Sequence, residues 1–149
     1  EQMTQKNISL KNKCVARNDI IFGDAKLLSQ ALVNLNLNAI EAIGDDGEIT
    51  VGMINCDHSF AKGDSPDRAT TKHCVRLQIT DTGSGIEQEN LAKIFDPFYT
   101  SKSEGTGMGL SVAHGIIAEH DGVIEVESEP GRGTTFYVYI PVLEEGAAA

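Results

Sequence analysis

Between Asp24 and Gly44 the chain carries apolar residues at helical spacing, in the run AKLLSQALVNLNLNAIEAI. The periodicity predicts a helix of roughly five turns, with Asp24 as its N-cap. On a wheel of about 100° per residue with Gln30 at zero, Leu28, Ala31, Leu32, Leu35, Ala39, Ala42 and Ile43 fill an arc from roughly 100° to 220°. Gln30, Asn34, Asn38 and Glu41 fall on the adjoining face, between roughly 0° and 80°. A helix divided in this way must bury its apolar stripe against a second layer. Gly44-Asp45-Asp46-Gly47 then stops the helix and turns the chain.

The second layer reads as strands. Glu48–Ile54 and Val75–Thr80 alternate with period two, as do Val123–Ser128 and Thr134–Ile140 around a Pro130-Gly131-Arg132-Gly133 turn. Ser9–Lys13 and Ile20–Phe22 read as short strands, and Pro141 stops the last one. Asn55–His73, rich in Gly, Ser, Asp and Thr, is expected to be an exposed hairpin loop of unusual length. Glu89–Ile94 is expected as a short helix ending near Asp96-Pro97, and Gly109–His120 as a second long helix ended by Asp121-Gly122. Tyr99–Gly105 is a polar segment expected to be mobile. Two long helices over mostly antiparallel strands give an α+β two-layer sandwich. Residues 1–8 read as a linker or the end of a preceding helix, 9–143 as one domain, and 144–149 as a disordered tail.

Composition narrows the function classes. The formal net charge is −10, and the 12 Lys and Arg are scattered rather than gathered in a stripe, so no nucleic-acid surface is expected. No run approaches the roughly 18 apolar residues of a membrane span and no signal peptide opens the chain, so no membrane contact is expected. Cys14, Cys56 and Cys74 lack CxxC spacing, which argues against a zinc site or disulfide framework and fits a reducing cytoplasm. Cys56 and Cys74 flank the expected loop, so the fold can bring them near each other.

Three patterns carry candidate chemistry. Asn34 and Asn38 stand one helical turn apart, with Glu41 three residues beyond. The stripe is either a solvated face or a ligand face, on which an Asn carbonyl offers a hard neutral oxygen to Mg²⁺. Thr80-Asp81-Thr82-Gly83-Ser84-Gly85-Ile86 follows a strand. It is either an ordinary turn, or a site where the Asp81 carboxylate accepts from an exocyclic amine while the glycines admit a flat ring. Gly105-Thr106-Gly107-Met108-Gly109-Leu110 precedes the second helix and matches neither GxGxxG nor GxxxxGK[ST]. It is either a glycine-capped mobile loop, or a run of N–H groups at a helix N-terminus suited to phosphates.

In their order these segments resemble the GHKL superfamily of ATP-binding domains (the Bergerat-type fold), and most closely the catalytic domain of sensor histidine kinases. The resemblance runs from about Phe22 to Pro141. LVNLNLNAIEAI at Leu32–Ile43 looks like the family's N box, DTGSGI at Asp81–Ile86 its G1 box, IFDPF at Ile94–Phe98 its F box and GTGMGL at Gly105–Leu110 its G2 box. The closing GRGTTFYVYIP is similar to the family's last strand. The resemblance implies a mixed, mostly antiparallel sheet covered on one face by about three helices, with ATP and Mg²⁺ as cofactors. It implies that Asn38 coordinates Mg²⁺, with Asn34 and Glu41 beside the metal and phosphates. Asp81 would bind the adenine amine, helped by Gly83, Gly85 and a water held near Thr134, and Ile86 would pack on the base. The backbone of Gly105, Thr106, Gly107, Met108, Gly109 and Leu110 would wrap the phosphates. Tyr99–Glu104 would be a short lid, whose one cation, Lys102, either reaches the terminal phosphate or stays solvated. The short PFYTSK…GTGMGL lid looks like the nitrogen-regulation type of sensor kinase.

Hydrolytic relatives carry a Glu one turn before the metal-binding Asn, where it can act as general base. Here that position is Asn34, a neutral amide, which favours a kinase over a GHKL-type ATPase. An anti-sigma-factor serine kinase and a non-catalytic nucleotide sensor are further alternatives. A histidine kinase implies two partners, its own dimerisation and phosphoacceptor domain within a homodimer and a response-regulator receiver domain. Of the four histidines, His58, His73, His114 and His120, none is expected to be the phosphoacceptor. His120 precedes Asp121, but at a helix end.

Overall fold

The computed structural model describes residues 7–14, 21, 23–62, 65–97, 99 and 109–142. Strand β1 spans Asn7–Cys14, helix α1 Ala25–Ala42, β2 Asp46–Lys62 and β3 Ser65–Asp81. A 3-10 helix over Gln88–Lys93 leads towards α2 at Gly109–Glu119, followed by β4 at Val123–Glu129 and β5 at Gly133–Pro141. The strands form one sheet in the order β1-β2-β3-β5-β4. The β1–β2 pairing is parallel; β2–β3, β3–β5 and β4–β5 are antiparallel. The expected two-layer, mostly antiparallel architecture is the one observed.

Helix α1 starts where the sequence places it. The Asp24 carboxylate accepts from the N–H groups of Lys26 (2.9 Å) and Leu27 (3.2 Å), satisfying two donors of the first turn. Its buried residues, Ala31, Leu35 and Ala39, belong to the expected apolar stripe, and Leu28 and Leu32 pack at its margin. They meet Ala113, Ile116 and Ile117 of α2 and the inward-facing Ile49, Leu77, Ile79, Ile124, Phe136 and Val138 of the sheet. Small residues at Ala31, Ala39 and Ala113 let the two helices lie close together over one sheet face. Among the described residues no helix is long and apolar enough to cross a membrane.

The opposite sheet face carries a polar ladder. Arg76 Nη2 donates to Gln78 Oε1 (3.3 Å), Gln78 Nε2 donates to Thr80 Oγ1 (3.3 Å), and Thr80 Oγ1 meets Thr135 Oγ1 across the strands (3.0 Å). An antiparallel sheet can face water on one side when its outward residues are of this kind.

The segment expected to be a long loop is a correction to the sequence reading. Register runs without a break from Ile49↔Asp81 to Phe60↔Thr70, so most of Asn55–His73 is paired strand, with an irregularity between Phe60 and Lys62. Once β2 and β3 pair at the sheet, each further pair adds ladder hydrogen bonds at little extra loop-closure cost, whatever its polarity. A second small cluster of Phe60, Cys74 and Tyr139, with Cys56, Val123 and Tyr137 against it, supports this outer part. The first strand also begins earlier than expected, at Asn7, so Asn7 and Ile8 belong to the sheet rather than to a preceding helix or linker. Ile21 lies in no strand, and Ile20 and Phe22 of that expected strand are outside the described residues, as are 1–6 and the 144–149 tail.

Candidate functional site

Asp81 is the last residue of β3 and is 2% exposed; its Cα partner on β5 is Thr134, 4% exposed. Among the described residues these are the two buried polar ones in an otherwise apolar core. Asp81 Oδ1 accepts from the Gly83 N–H at 2.8 Å, so the turn that follows the strand orients the carboxylate. Beside it, Ser128 Oγ lies 2.7 Å from Thr134 Oγ1, 2.7 Å from the Ile86 nitrogen and 2.9 Å from the Gly133 carbonyl. The Ile86 N–H donates to Ser128, and the Ser128 hydroxyl can donate only one proton. When that proton goes to Gly133, Thr134 donates to Ser128, and the oxygen of Thr134 is left as an acceptor. Ser128 therefore joins the glycine turn, the β4–β5 hairpin and Thr134. It was absent from the sequence reading, although the register of a hairpin about Pro130–Gly133 sets Ser128 opposite Thr134.

The glycine turn is clamped on both sides. The Ser84 N–H donates to the Ala42 carbonyl (3.0 Å) at the end of α1, and the Gly131 N–H donates to the Ser84 carbonyl (2.7 Å). Thr82 Oγ1 accepts from the Glu48 N–H (2.9 Å) at the start of β2. A Cβ on Gly83 would lie 2.5 Å from the Ala42 oxygen. Gly85 has φ +74°, and a Cβ there would lie 2.2 Å from the Glu129 oxygen. At both positions a close approach to the protein's own backbone requires glycine. Ile86 is half-buried and packs against the main core.

The polar stripe of α1 lies on the helix face expected for it, with Asn34 and Asn38 half-buried and Glu41 exposed. Asn34 Nδ2 donates to the Gly109 carbonyl at 3.2 Å, which ties the stripe to the first residue of α2. Gly109 and Leu110, the last residues of the expected phosphate loop, open that helix. The structure thus brings Asn34 together with Gly109, and Asp81 with Gly83 and Thr134. Lys102, Gly105, Thr106, Gly107 and Met108 lie outside the described residues. Among those described, no group of three or more His, Cys, Asp or Glu side chains could hold a metal.

All four histidines are engaged in local structure. His58 stacks on Tyr139 with ring centroids 3.8 Å apart, His73 pairs with Asp57, and His114 lies against Phe95. His120 Nδ1 is 2.7 Å from the Ile116 carbonyl, and its Nε2 accepts from the Asp24 N–H at 3.0 Å. One ring thereby ties the end of α2 to the start of α1, using both nitrogens.

A five-stranded mixed sheet with its helices on one face, and a glycine turn clamped at the end of a central strand, is the architecture of GHKL ATPase domains. Residues 23–144 match the family model described as Histidine kinase-, DNA gyrase B-, and HSP90-like ATPase, and the chain belongs to that family. It is 42% identical to Sensor histidine kinase ZraS of Escherichia coli (strain K12) over 122 residues, 82% of this chain and 23% of that protein. It is 37% identical to Sporulation kinase E of Bacillus subtilis (strain 168) over 124 residues, 82% of this chain and 15% of that protein. The chain therefore spans less than a quarter of these relatives' length. Among solved structures, a nucleotide-free catalytic domain of histidine kinase ThkA superposes with TM-score 0.74 at 30% identity, over 95% of this chain and 84% of that one. Full-length ShkA in complex with AMPPNP superposes with TM-score 0.72 at 25% identity, over 99% of this chain and 28% of that one. The chain is a histidine-kinase-type catalytic ATPase domain, and these relatives do not favour the gyrase-like or anti-sigma alternatives.

Proposed function

We propose that this domain binds Mg·ATP and donates the γ-phosphoryl group to a histidine on a separate dimerisation and phosphoacceptor domain, from which a response-regulator receiver domain is charged. The observation that carries the reading is the buried Asp81–Thr134 pair at the strand end. A carboxylate oriented by the Gly83 N–H and a hydroxyl with an acceptor to offer suit an adenine amine and its water. Ile86 offers its apolar side chain to the base. AMPPNP, the molecule held by the ShkA structure, is an ATP analogue and agrees with this ligand class.

The donor set fits Mg²⁺. The ion keeps several waters and takes one or two protein oxygens together with phosphates, so a dedicated acidic cage is not required. Asn38 would hold it through its side-chain carbonyl, and Asn34 and Glu41 would stand beside it. When bound, the metal supplies charge neutralisation for the phosphates. The protein's own part is to position. Gly105–Leu110 would line the phosphates with N–H groups at the start of α2, and Lys102 would reach the terminal phosphate.

Asn34 supports transfer over hydrolysis. Its amide donates to Gly109, a bond a carboxylate at that position would replace with repulsion between oxygens. The short segment between Pro97 and Gly109 supports the nitrogen-regulation subtype, and the ATP requirement and free thiols support a cytoplasmic setting. The test is to incubate the chain with γ-labelled ATP, alone and with the parent's phosphoacceptor domain. Label is expected on the added domain's histidine and none on this chain. Label on one of its own four histidines would overturn the reading.

A further inference from the structure

The sheet face turned away from the helices holds a pair of groups the nucleotide site does not use. Cys56 of β2 and Cys74 of β3 are direct Cα partners in the antiparallel ladder, and their Sγ atoms lie 3.2 Å apart. We propose that Cys56 and Cys74 form a reversible disulfide that staples the outer half of the β2–β3 hairpin, a modification site independent of ATP binding.

The backbone already satisfies the geometry. Opposed residues of an antiparallel pair have Cα atoms about 4.5 to 5.5 Å apart, inside the range of about 4.4 to 6.8 Å that a disulfide spans. The two side chains leave the same face of the sheet, and bond formation needs only an approach of little more than about 1 Å between the sulfurs, to about 2.05 Å. The third cysteine, Cys14, is exposed on the edge strand β1 and is no ladder partner of either. It serves as an internal control.

The two thiols differ in environment, which sets the order of events. Cys74 is 0% exposed beneath Phe60 and Tyr139, whereas Cys56 is partly open to solvent. Burial first, and then the hydrogen bond with Cys56, push the Cys74 thiol up to about 12. Cys56 is therefore the sulfur that meets an oxidant. With hydrogen peroxide, the Cys56 thiolate attacks one oxygen, breaks the O–O bond and becomes a sulfenic acid, releasing hydroxide that takes up the thiol proton as water. The Cys74 sulfur then attacks the Cys56 sulfur, forming the S–S bond as the S–O bond breaks. The hydroxyl leaves with the Cys74 proton as a second water. Two thiols and one peroxide thus give one disulfide and two waters, and a dithiol reductant reverses the step. In reducing compartments disulfides of this kind are transient and responsive to oxidant, and a sulfur already in contact traps the sulfenic acid before further oxidation.

Asp81 lies seven positions along β3 from Cys74, a span of roughly 23 Å at the rise of an extended strand. The staple therefore acts on the outer hairpin and leaves the adenine site as it is. The test treats the chain with hydrogen peroxide, caps remaining thiols with an alkylating reagent and maps the peptides by mass spectrometry. A Cys56–Cys74 crosslink with a loss of about 2 Da, reversed by dithiothreitol and absent in Cys56→Ser, is expected. The oxidised chain should also melt several degrees higher, roughly 5 °C or more. Independent alkylation of Cys56 and Cys74 after peroxide, sulfinic acid on Cys56 beside a free Cys74, or a Cys56-linked dimer would each overturn the pair. Circular dichroism of Cys56→Ser confirms that the variant is folded. A fall in ATP affinity on oxidation beyond about threefold would overturn the claim of independence.

Discussion

Asn34 Nδ2 donates to the Gly109 carbonyl, so a residue in the middle of α1 holds the first residue of α2 from 75 positions away. Both residues stand at the segments proposed for metal and phosphate, and the bond ties the two helices together there. Asn34→Asp removes the donor and sets a carboxylate against a carbonyl. Stability is expected to fall by about 1–3 kcal/mol, and phosphoryl transfer by at least about tenfold. Denaturant unfolding and a phosphotransfer assay with the parent's phosphoacceptor domain read the two effects. ATP hydrolysis is not expected to rise, because the new carboxylate faces α2.

Asp81→Asn separates a structural role from a binding role. The amide carbonyl still accepts from the Gly83 N–H, so the turn is retained. The charge is lost, and the amide's NH₂ group opposes the adenine amine donor to donor. Affinity for ATP is expected to fall by roughly ten- to a hundredfold with little change in melting temperature. An affinity equal to that of the parent chain in calorimetric titration removes the adenine role from Asp81.

Gly85→Ala introduces a Cβ at φ +74° and within 2.2 Å of the Glu129 oxygen. Strain and overlap act together, and the β4–β5 hairpin must move to relieve them. A loss of about 2–4 kcal/mol is expected, read as a lowered denaturant midpoint. Ile86 N and Ser128 Oγ, 2.7 Å apart, are the contact first disturbed, so ATP binding should weaken with it.

His120→Ala breaks two hydrogen bonds at once and unlinks the ends of α1 and α2. The expected cost is about 1–3 kcal/mol, measurable by thermal unfolding. Phosphotransfer per folded molecule should be unchanged, because both ring nitrogens are held in structural hydrogen bonds. A specific loss of transfer in a fully folded variant would contradict this role.

The raised Cys74 thiol makes stability depend on alkaline pH. Its neutral form is favoured in the folded chain, so its contribution is complete below about pH 9 and is lost as pH rises towards about 12. Tyr139 and Tyr137 are also shifted upward, chiefly by burial, and act in the same direction. The melting temperature should therefore decline over this window. Cys74→Ala should show a shallower decline, since the two tyrosines still titrate.

Local patterns survive the passage from sequence to structure well. The Asp24 cap, the apolar stripe of Ala31, Leu35 and Ala39, and the β4–β5 hairpin follow from spacing and from the few backbone shapes each residue type allows. The polar stripe of Asn34, Asn38 and Glu41 follows from the same periodicity. These features depend on residues within a few positions of one another, and a sequence states such relations directly.

Most contacts between distant segments were not readable in that way; the approach of Cys56 to Cys74 was expected from sequence, but not its register. The outer β2–β3 hairpin is strand despite a loop-like composition, because pairing with a neighbour outweighs local preference. Gly83 and Gly85 are glycines because α1 and β4 pass over the turn. Ser128 joins the site only once β4 and β5 are in register, and Asn34 reaches Gly109 only when α1 and α2 lie side by side. The Cys56–Cys74 contact depends on the alignment of two long strands, where a slip of one residue would send one thiol to the other face. The chain's membership in an ATP-binding family was thus legible from local motifs. What holds the glycine turn and the Asp81–Thr134 pair in shape, and what sets Cys56 against Cys74, was decided by packing and register across the sheet.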